Sequence, residues 1–355
     1  MRDQVNTPAR VGVMLAAGAI AAALLAAPAG AAGPASAPTV HSESCGAGLF
    51  AETIVPAAGF DPTTATDDQL IANGLAPRPA SAADLAGWRR LVTGPVDRRT
   101  SCADLSPSHH LPITAGPAGT PRTWSGGPAA AVVTLTSPNW DGYLATAEAY
   151  DNVDGNWAVP PGTDRGDGVQ RWSLQWAGLG RGNPGTEPLA QAGTGLITSG
   201  QGTVSYFAWW EVFPIDNTGI REIPLDISPG SHVYVHVTQS AGRASFHMLN
   251  RDTGRSQQFS FVDSRVHATA PQAEWILERA GFGSTGHHPL ARTSQVQFSG
   301  ARGGFSGTWL ALASLPIDAV RMTSCNQSVQ LAHVSGPSGS IFQATWDNWG
   351  VQESC

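Results

Sequence analysis

From residue 129 onward the chain is built of short runs in which strand-forming residues are bounded by turn formers. Residues 130–136, 204–213, 232–238, 244–250, 257–262, 274–278, 295–298 and 329–334 are rich in Val, Phe, Tyr, Trp and Thr. Gly, Pro, Asn and Asp punctuate them, which predicts strands joined by turns. About 220 residues of such sequence suffice for one sandwich or barrel. No helical pattern long enough to cross between parallel strands is visible, so antiparallel sheets are expected.

The first third of the chain reads differently. Arg2 and Arg10 precede an apolar run at residues 11–25, and Pro28-Ala29-Gly30-Ala31 offers a small-residue cleavage site. Residues 1–31 are therefore expected to be a signal peptide and the product to be secreted. The rival is an uncleaved anchor, for which the run is short. Residues 32–128 form an N-terminal region with turn and cap residues at 61–68. An amphipathic helix is expected over 81–92, where Leu85, Trp88 and Leu91 fall at helical spacing. A linker follows at 116–127. The region is either a pro-segment or an extension packed permanently on the main domain, residues 129–355.

Composition narrows the function. There is no lysine and the net charge is −7, which argues against a nucleic-acid footprint. After the signal, no apolar segment is long enough to cross a membrane. Four cysteines, Cys45, Cys102, Cys325 and Cys355, suit an oxidising compartment. Three pairings are open, and the clustering favours Cys45 with Cys102 and Cys325 with Cys355. No cysteine or histidine pair has zinc-finger spacing.

Candidate chemistry comes from polar residues set into strands. Period-two alternation puts Phe207, Trp209, Glu211 and Phe213 on one face of their strand, and Glu274, Ile276 and Glu278 on one face of another. A carboxylate among aromatics has its pKa raised by desolvation, which suits acid–base work. Gln191, in Leu189-Ala190-Gln191-Ala192-Gly193, is a further polar residue in apolar strand-like sequence. Left unpaired, such a buried amide costs a few kcal/mol.

From Asn139 to about Phe298 the chain resembles the eqolisins, the glutamic peptidase family. Asn139-Trp140-Asp141-Gly142-Tyr143 is similar to the family's Asn-Trp-x-Gly, Trp157-Ala158-Val159-Pro160 to its Trp-x-Val-Pro, and Trp176-Ala177-Gly178-Leu179 to its Trp-Val-Gly-Ile. Residues 189–193, 208–214 and 273–278 follow in family order. The resemblance implies an all-β fold, an antiparallel β-sandwich of two sheets, concanavalin/lectin-like, with a small partly helical N-terminal region. It implies a catalytic dyad of Gln191 and Glu274 on the concave face. Trp176, Trp209, Glu211 and Trp140 would contact substrate there. An acid-active, secreted, monomeric endopeptidase without cofactor or metal is expected, acting on polypeptides and not on nucleic acid or membranes.

Departures accompany the resemblance. Gly180 and Gly195 stand where fungal members carry Asp, and Phe207 replaces another acid, so a less acidic floor is expected. An inactive homologue, a lectin-like binding module and a glycosidase using Glu211 and Glu274 are the alternatives. Gly281-Phe282-Gly283-Ser284-Thr285-Gly286 matches a dinucleotide fingerprint by letter but lacks a βαβ setting, so it reads as a glycine loop. His232, His236, His287 and His288 read as pairing or surface histidines.

Overall fold

The computed structural model describes residues 37–79, 82, 85–94, 100–105, 110–111, 132–146, 148–183, 187–216, 219–281 and 286–348. The signal peptide, the linker at 116–127, residues 282–285 of the glycine loop and Cys355 lie outside them.

In the N-terminal region, β1 (Thr39–Gly46) and β2 (Leu49–Val55) form a hairpin, followed by α1 (Asp67–Ala72), α2 (Leu85–Thr93), α3 (Cys102–Leu105) and β3 (His110–Leu111). Thr66 starts α1 through a capping box with Gln69. The expected helix forms as α2, with Trp88 and Val92 buried. The main domain begins with β4 (Val133–Ser137), β5 (Trp140–Ala145), β6 (Asn152–Ala158), β7 (Gly162–Thr163), β8 (Arg171–Asn183) and β9 (Glu187–Thr198). Then come β10 (Val204–Phe213), β11 (Ile220–Ile223), β12 (His232–Ser240), β13 (Arg243–Asn250), β14 (Ser256–Val262) and β15 (Ala273–Glu278). It closes with β16 (Arg292–Thr293), β17 (Val296–Phe305), β18 (Thr308–Ala311), β19 (Ile317–Thr323), β20 (Gln330–Val334) and β21 (Phe342–Trp346).

The strands fold into a β-sandwich. The front layer runs β3-β11-β10-β9-β8-β15-β5-β19-β4. The back layer runs β1-β2-β14-β13-β12-β6-β17, with β18 and β21 both on β17. Hydrogen bonding continues from one layer to the other through β20. Between the layers lies the main core, which includes Val153, Trp157, Ala177, Ala192, Trp210, Phe246, Phe259 and Trp275. Burying one tryptophan removes about 200 Å² from water, or about 5 kcal/mol gross. Two of these rings also bond across the layers: Trp157 Nε1 donates to Thr194 Oγ1 at 2.8 Å and Trp275 Nε1 to the Asp154 carbonyl at 2.7 Å.

One expectation needs correction. The sheets are not wholly antiparallel, because β4 pairs with β19 in parallel. These strands are far apart in sequence, so no tight turn dictates their direction. The N-terminal region is partly helical, as expected, and also carries strands. Its hairpin extends the back layer through β2 and β14, and β3 adds to the front layer at β11.

The Cys45–Cys102 disulfide forms, at a sequence separation of 57. A loop of that length is worth about 4 kcal/mol in the chain-entropy model. Cys325 is disulfide-bonded as well.

Candidate active site

Residues of the front layer that point away from the main core form a second, aromatic cluster: Trp140, Trp172, Trp176, Phe207, Trp209 and Ile276 among others. Strands of this layer are therefore buried on both faces, as in β15, where every residue is buried. Ala273, Trp275 and Leu277 join the main core while Ile276 joins the second cluster. Period two then carries Glu274 and Glu278 to the same side as Ile276.

The register sets the polar residues in one row. Gly178 on β8 lies opposite Glu274 on β15 and, on its other side, opposite Gln191 on β9. Gln191 in turn lies opposite Glu211 on β10. Two strand spacings put the backbones of Gln191 and Glu274 about 10 Å apart. No Cβ rises between them, and one at Gly178 would press on the Ala190 carbonyl at 3.0 Å and on Gln191 Cβ at 3.1 Å. The next row along the strands is Gly142, Ile276, Trp176, Gly193 and Trp209, and the one after it is Trp140, Glu278, Leu174, Gly195 and Phe207.

Hydrogen bonding divides the polar groups into held and unheld. Gln191 Nε2 donates to Glu211 Oε2 at 2.8 Å, which fixes the plane of the amide. Glu278 accepts from Trp176 Nε1 at 2.7 Å and from Asn139 Nδ2 at 3.1 Å. Both carboxyl oxygens of Glu274 and the Oε1 atom of Gln191 are buried with no partner among the described residues. Trp140 meets Trp176 edge to face, with ring centroids 5.3 Å apart.

These carboxyls are all at most 1% exposed, and burial dominates their acidity. It raises Glu274 well above the usual carboxyl range, with Glu278 adding repulsion and Arg181 opposing it. Glu211 is raised well above its ordinary value by burial and then by Glu278. Burial pushes Glu278 up to about 8, against the pull of its N–H donors. The row thus combines an oriented amide and an unpaired carboxyl on either side of a glycine, among buried aromatic residues.

All the residues singled out from sequence lie on this face: Gln191, Glu211 and Glu274 in one row, Trp176 and Trp209 in the next, Trp140 in the third. Glu211 holds the amide of Gln191, and the Trp176 N–H is engaged by Glu278. Glu278 and Asn139 complete the cluster although the sequence analysis does not nominate them. Their signals were the i, i+4 spacing from Glu274 on a strand and the opening position of Asn-Trp-x-Gly. Glu211 and Glu274 do not form a close carboxyl pair, because three strand spacings separate them and Gln191 stands between. That removes the geometry of a retaining glycosidase.

The histidines sit elsewhere. His232 Nδ1 meets Asp252 Oδ1 at 3.0 Å at the surface, and His236 is buried beside Asn152 with its pKa pushed down to about 3 by burial.

The missing acids have a physical counterpart. A Cβ at Gly195 would run into the Phe207 ring and the Leu174 side chain, so Phe207 fills the space over Gly195. Gly180 has φ +129°, and a Cβ there would strike the Pro188 carbonyl.

Residues 138–341 match the model of the peptidase A4 family. Among solved structures, the fold is similar to scytalido-glutamic peptidase with a transition-state-analogue inhibitor, at 23% identity over 59% of this chain and 98% of that one, TM-score 0.49. It is also similar to SCP-B, a member of the eqolisin family in complex with the tripeptide Ala-Ile-His (24% identity, 59% and 98% covered, TM-score 0.46). A further similar structure is aspergilloglutamic peptidase from Aspergillus niger (24% identity, 50% and 99% covered, TM-score 0.42). No curated protein sequence matches the chain.

Proposed function

The chain belongs to the peptidase A4 family, the eqolisins, and is a hydrolase of the glutamic-peptidase type; on that premise we propose that it is a secreted endopeptidase working through Gln191 and Glu274. The observation that carries this reading is the shared register of both residues on Gly178, on one face, with no side chain on the glycine between them.

In the proposed mechanism a peptide group lies over Gly178. Ionised Glu274 takes a proton from a water as that water attacks the carbonyl carbon, and then returns it to the leaving amine. Its two unpartnered oxygens are free for this exchange. Gln191 donates a hydrogen bond to the developing oxyanion, an effect worth roughly 3–4 kcal/mol in comparable sites. Glu211 occupies one amide hydrogen of Gln191 and so aims the other. Trp176 and Trp209 flank the row and would hold the substrate chain, with Trp140 behind Trp176. Because burial and Glu278 hold the Glu274 pKa well above the ordinary carboxyl range, turnover should rise with pH as Glu274 ionises.

Secretion is supported by the signal-like residues 1–31 and by the Cys45–Cys102 disulfide. No helix among the described residues is long and apolar enough to cross a membrane. Secreted material should begin after Ala31, which intact mass reads directly.

The test is cleavage of an unfolded protein between pH 2 and 7 with chelator and pepstatin present. It is run with residues 32–128 in place and after their removal, because β3 of that region adds to the sheet carrying the site. Cleavage should be nearly abolished by Glu274→Gln, and Gln191→Ala should lower kcat by about a hundredfold or more. Absence of cleavage in every condition, or full activity of Glu274→Gln, sinks the reading.

A further inference from the structure

The face that carries Gln191 and Glu274 holds one more polar side chain, which the proposed mechanism does not use. Gln272 immediately precedes β15 and is 1% exposed. Its main chain continues the ladder with β8, because the Gly180 N–H donates to the Gln272 carbonyl at 3.1 Å. Ala273 joins the main core, so alternation turns Gln272 to the opposite side, where Glu274 lies. Leu189, across Gly180 on β9, belongs to the second cluster on that side. Gln272, Gly180 and Leu189 thus repeat, two residues along the strands, the row of Glu274, Gly178 and Gln191.

Unlike Gln191, Gln272 is not held. Neither its Oε1 nor its Nε2 atom has a partner among the described residues. Burying an amide in that state costs a few kcal/mol. One free acceptor and one free donor on a single planar group match a particular partner. In an extended chain the N–H and C=O of one residue point to the same side, and a side-chain amide can exchange both hydrogen bonds with them as a neighbouring strand does.

The course of the substrate follows from the chemistry at the row. Carbonyls of an extended chain stand perpendicular to its axis, so a scissile carbonyl aimed at Gln191 across β8 lays the substrate along the strands, over Gly178. Successive residues of such a chain face alternate sides. The residue whose carbonyl is attacked faces β9, and the residue that supplies the leaving amine faces β15, where Glu274 returns the proton. Gln272 lies about 6.8 Å from Glu274 along its strand, and an extended substrate advances by the same length in two residues. The substrate residue facing Gln272 is then the second before the scissile bond or the third after it, according to the direction of the chain.

Resting on the proposed function, we propose that Gln272 is a substrate-binding residue whose amide pairs with the N–H and C=O of that substrate residue. The contact reads main chain, so it selects for length and extended conformation and not for a side chain.

Synthetic peptides with one cleavage site, shortened stepwise from either end, test this on the wild type and on Gln272→Met. The substitution keeps the length of the side chain and removes both hydrogen bonds. On the longest peptides it should lower kcat/KM about tenfold through KM, with kcat little changed. The deficit should disappear once the peptide lacks the second residue before the scissile bond, or the third after it, and the end at which this happens gives the direction of the chain. The melting temperature should not fall, because the side chain makes no hydrogen bond to lose. Equal kcat/KM on the longest peptides, a deficit that persists at every length or ends at another residue, or a lower melting temperature overturns the inference, while loss of activity in Glu274→Gln still upholds the proposed function. Absence of cleavage by the wild type overturns both.

Discussion

Around Glu278 the hydrogen bonds come from donors, the indole N–H of Trp176 and the amide of Asn139. Donors favour the carboxylate, yet burial still carries the group up to about 8, and its charge raises Glu274 and Glu211 in turn. Glu278→Gln keeps an oxygen for Trp176 and removes the charge. The acid limb of kcat, where Glu274 ionises, should therefore move to lower pH, since losing a like charge favours ionisation. A pH–kcat profile measures the limb, and one that stays in place or moves up contradicts the account. At this scale the sequence pointed to Gln191 and Glu274 because their segments keep family order. It could not assign Glu211 to the Gln191 amide, since cross-strand neighbours are fixed by register and not by spacing along the chain.

On the element scale, β9 and β10 show how one departure compensates another. Gly195 and Phe207 are direct cross-strand partners, and the ring fills what a side chain at Gly195 would occupy. Gly195→Asp alone should destabilise the fold by about 3 kcal/mol, through overpacking and an unpaired buried carboxyl. Combined with Phe207→Ala, part of that loss should return, a coupling of about 1–2 kcal/mol in a denaturation double-mutant cycle. Strict additivity would show that the two positions do not share space. Strands β10 and β12 to β15 were legible because aromatic and branched residues cluster in them. The strands β5, β6 and β8 were not: Trp172-Ser173-Leu174-Gln175-Trp176-Ala177-Gly178 alternates at its start but holds no β-branched residue, and its polar Ser173 and Gln175 are buried like its apolar residues.

For the whole molecule, buried carboxyls set the response to pH. Burial raises Glu211, Glu274 and Asp141 well above the ordinary range, Glu278 to about 8 and Asp154 to about 6. Each binds its proton more tightly folded than unfolded, where the value is about 4. Their stabilisation is complete below that pH and is lost as pH rises through the folded values. His236 and His288, pushed down by burial to about 3 and about 4, act in the opposite sense and lose stability as pH falls below about 6.5. Five carboxyls outnumber two histidines in the acid window, and above about 6.5 only the carboxyls act. Asp167 and Asp263, held low by Arg171 and Arg265, are at the surface, where screening leaves little effect. The melting temperature should therefore fall as pH is raised from 4 to 8; a rise across that range would refute this balance.

The sequence by itself determined the all-β class and the order of the family motifs, and from that order it nominated Gln191 and Glu274, because strand propensity and motif order are local properties of the chain. Only the tertiary structure decided that Gly178 separates Gln191 from Glu274, that Glu211 holds the amide, that Glu278 joins the cluster, and that the N-terminal hairpin extends the back layer. Each of these depends on which strands pair and in what register, and that is settled by burying both faces of the front sheet at once.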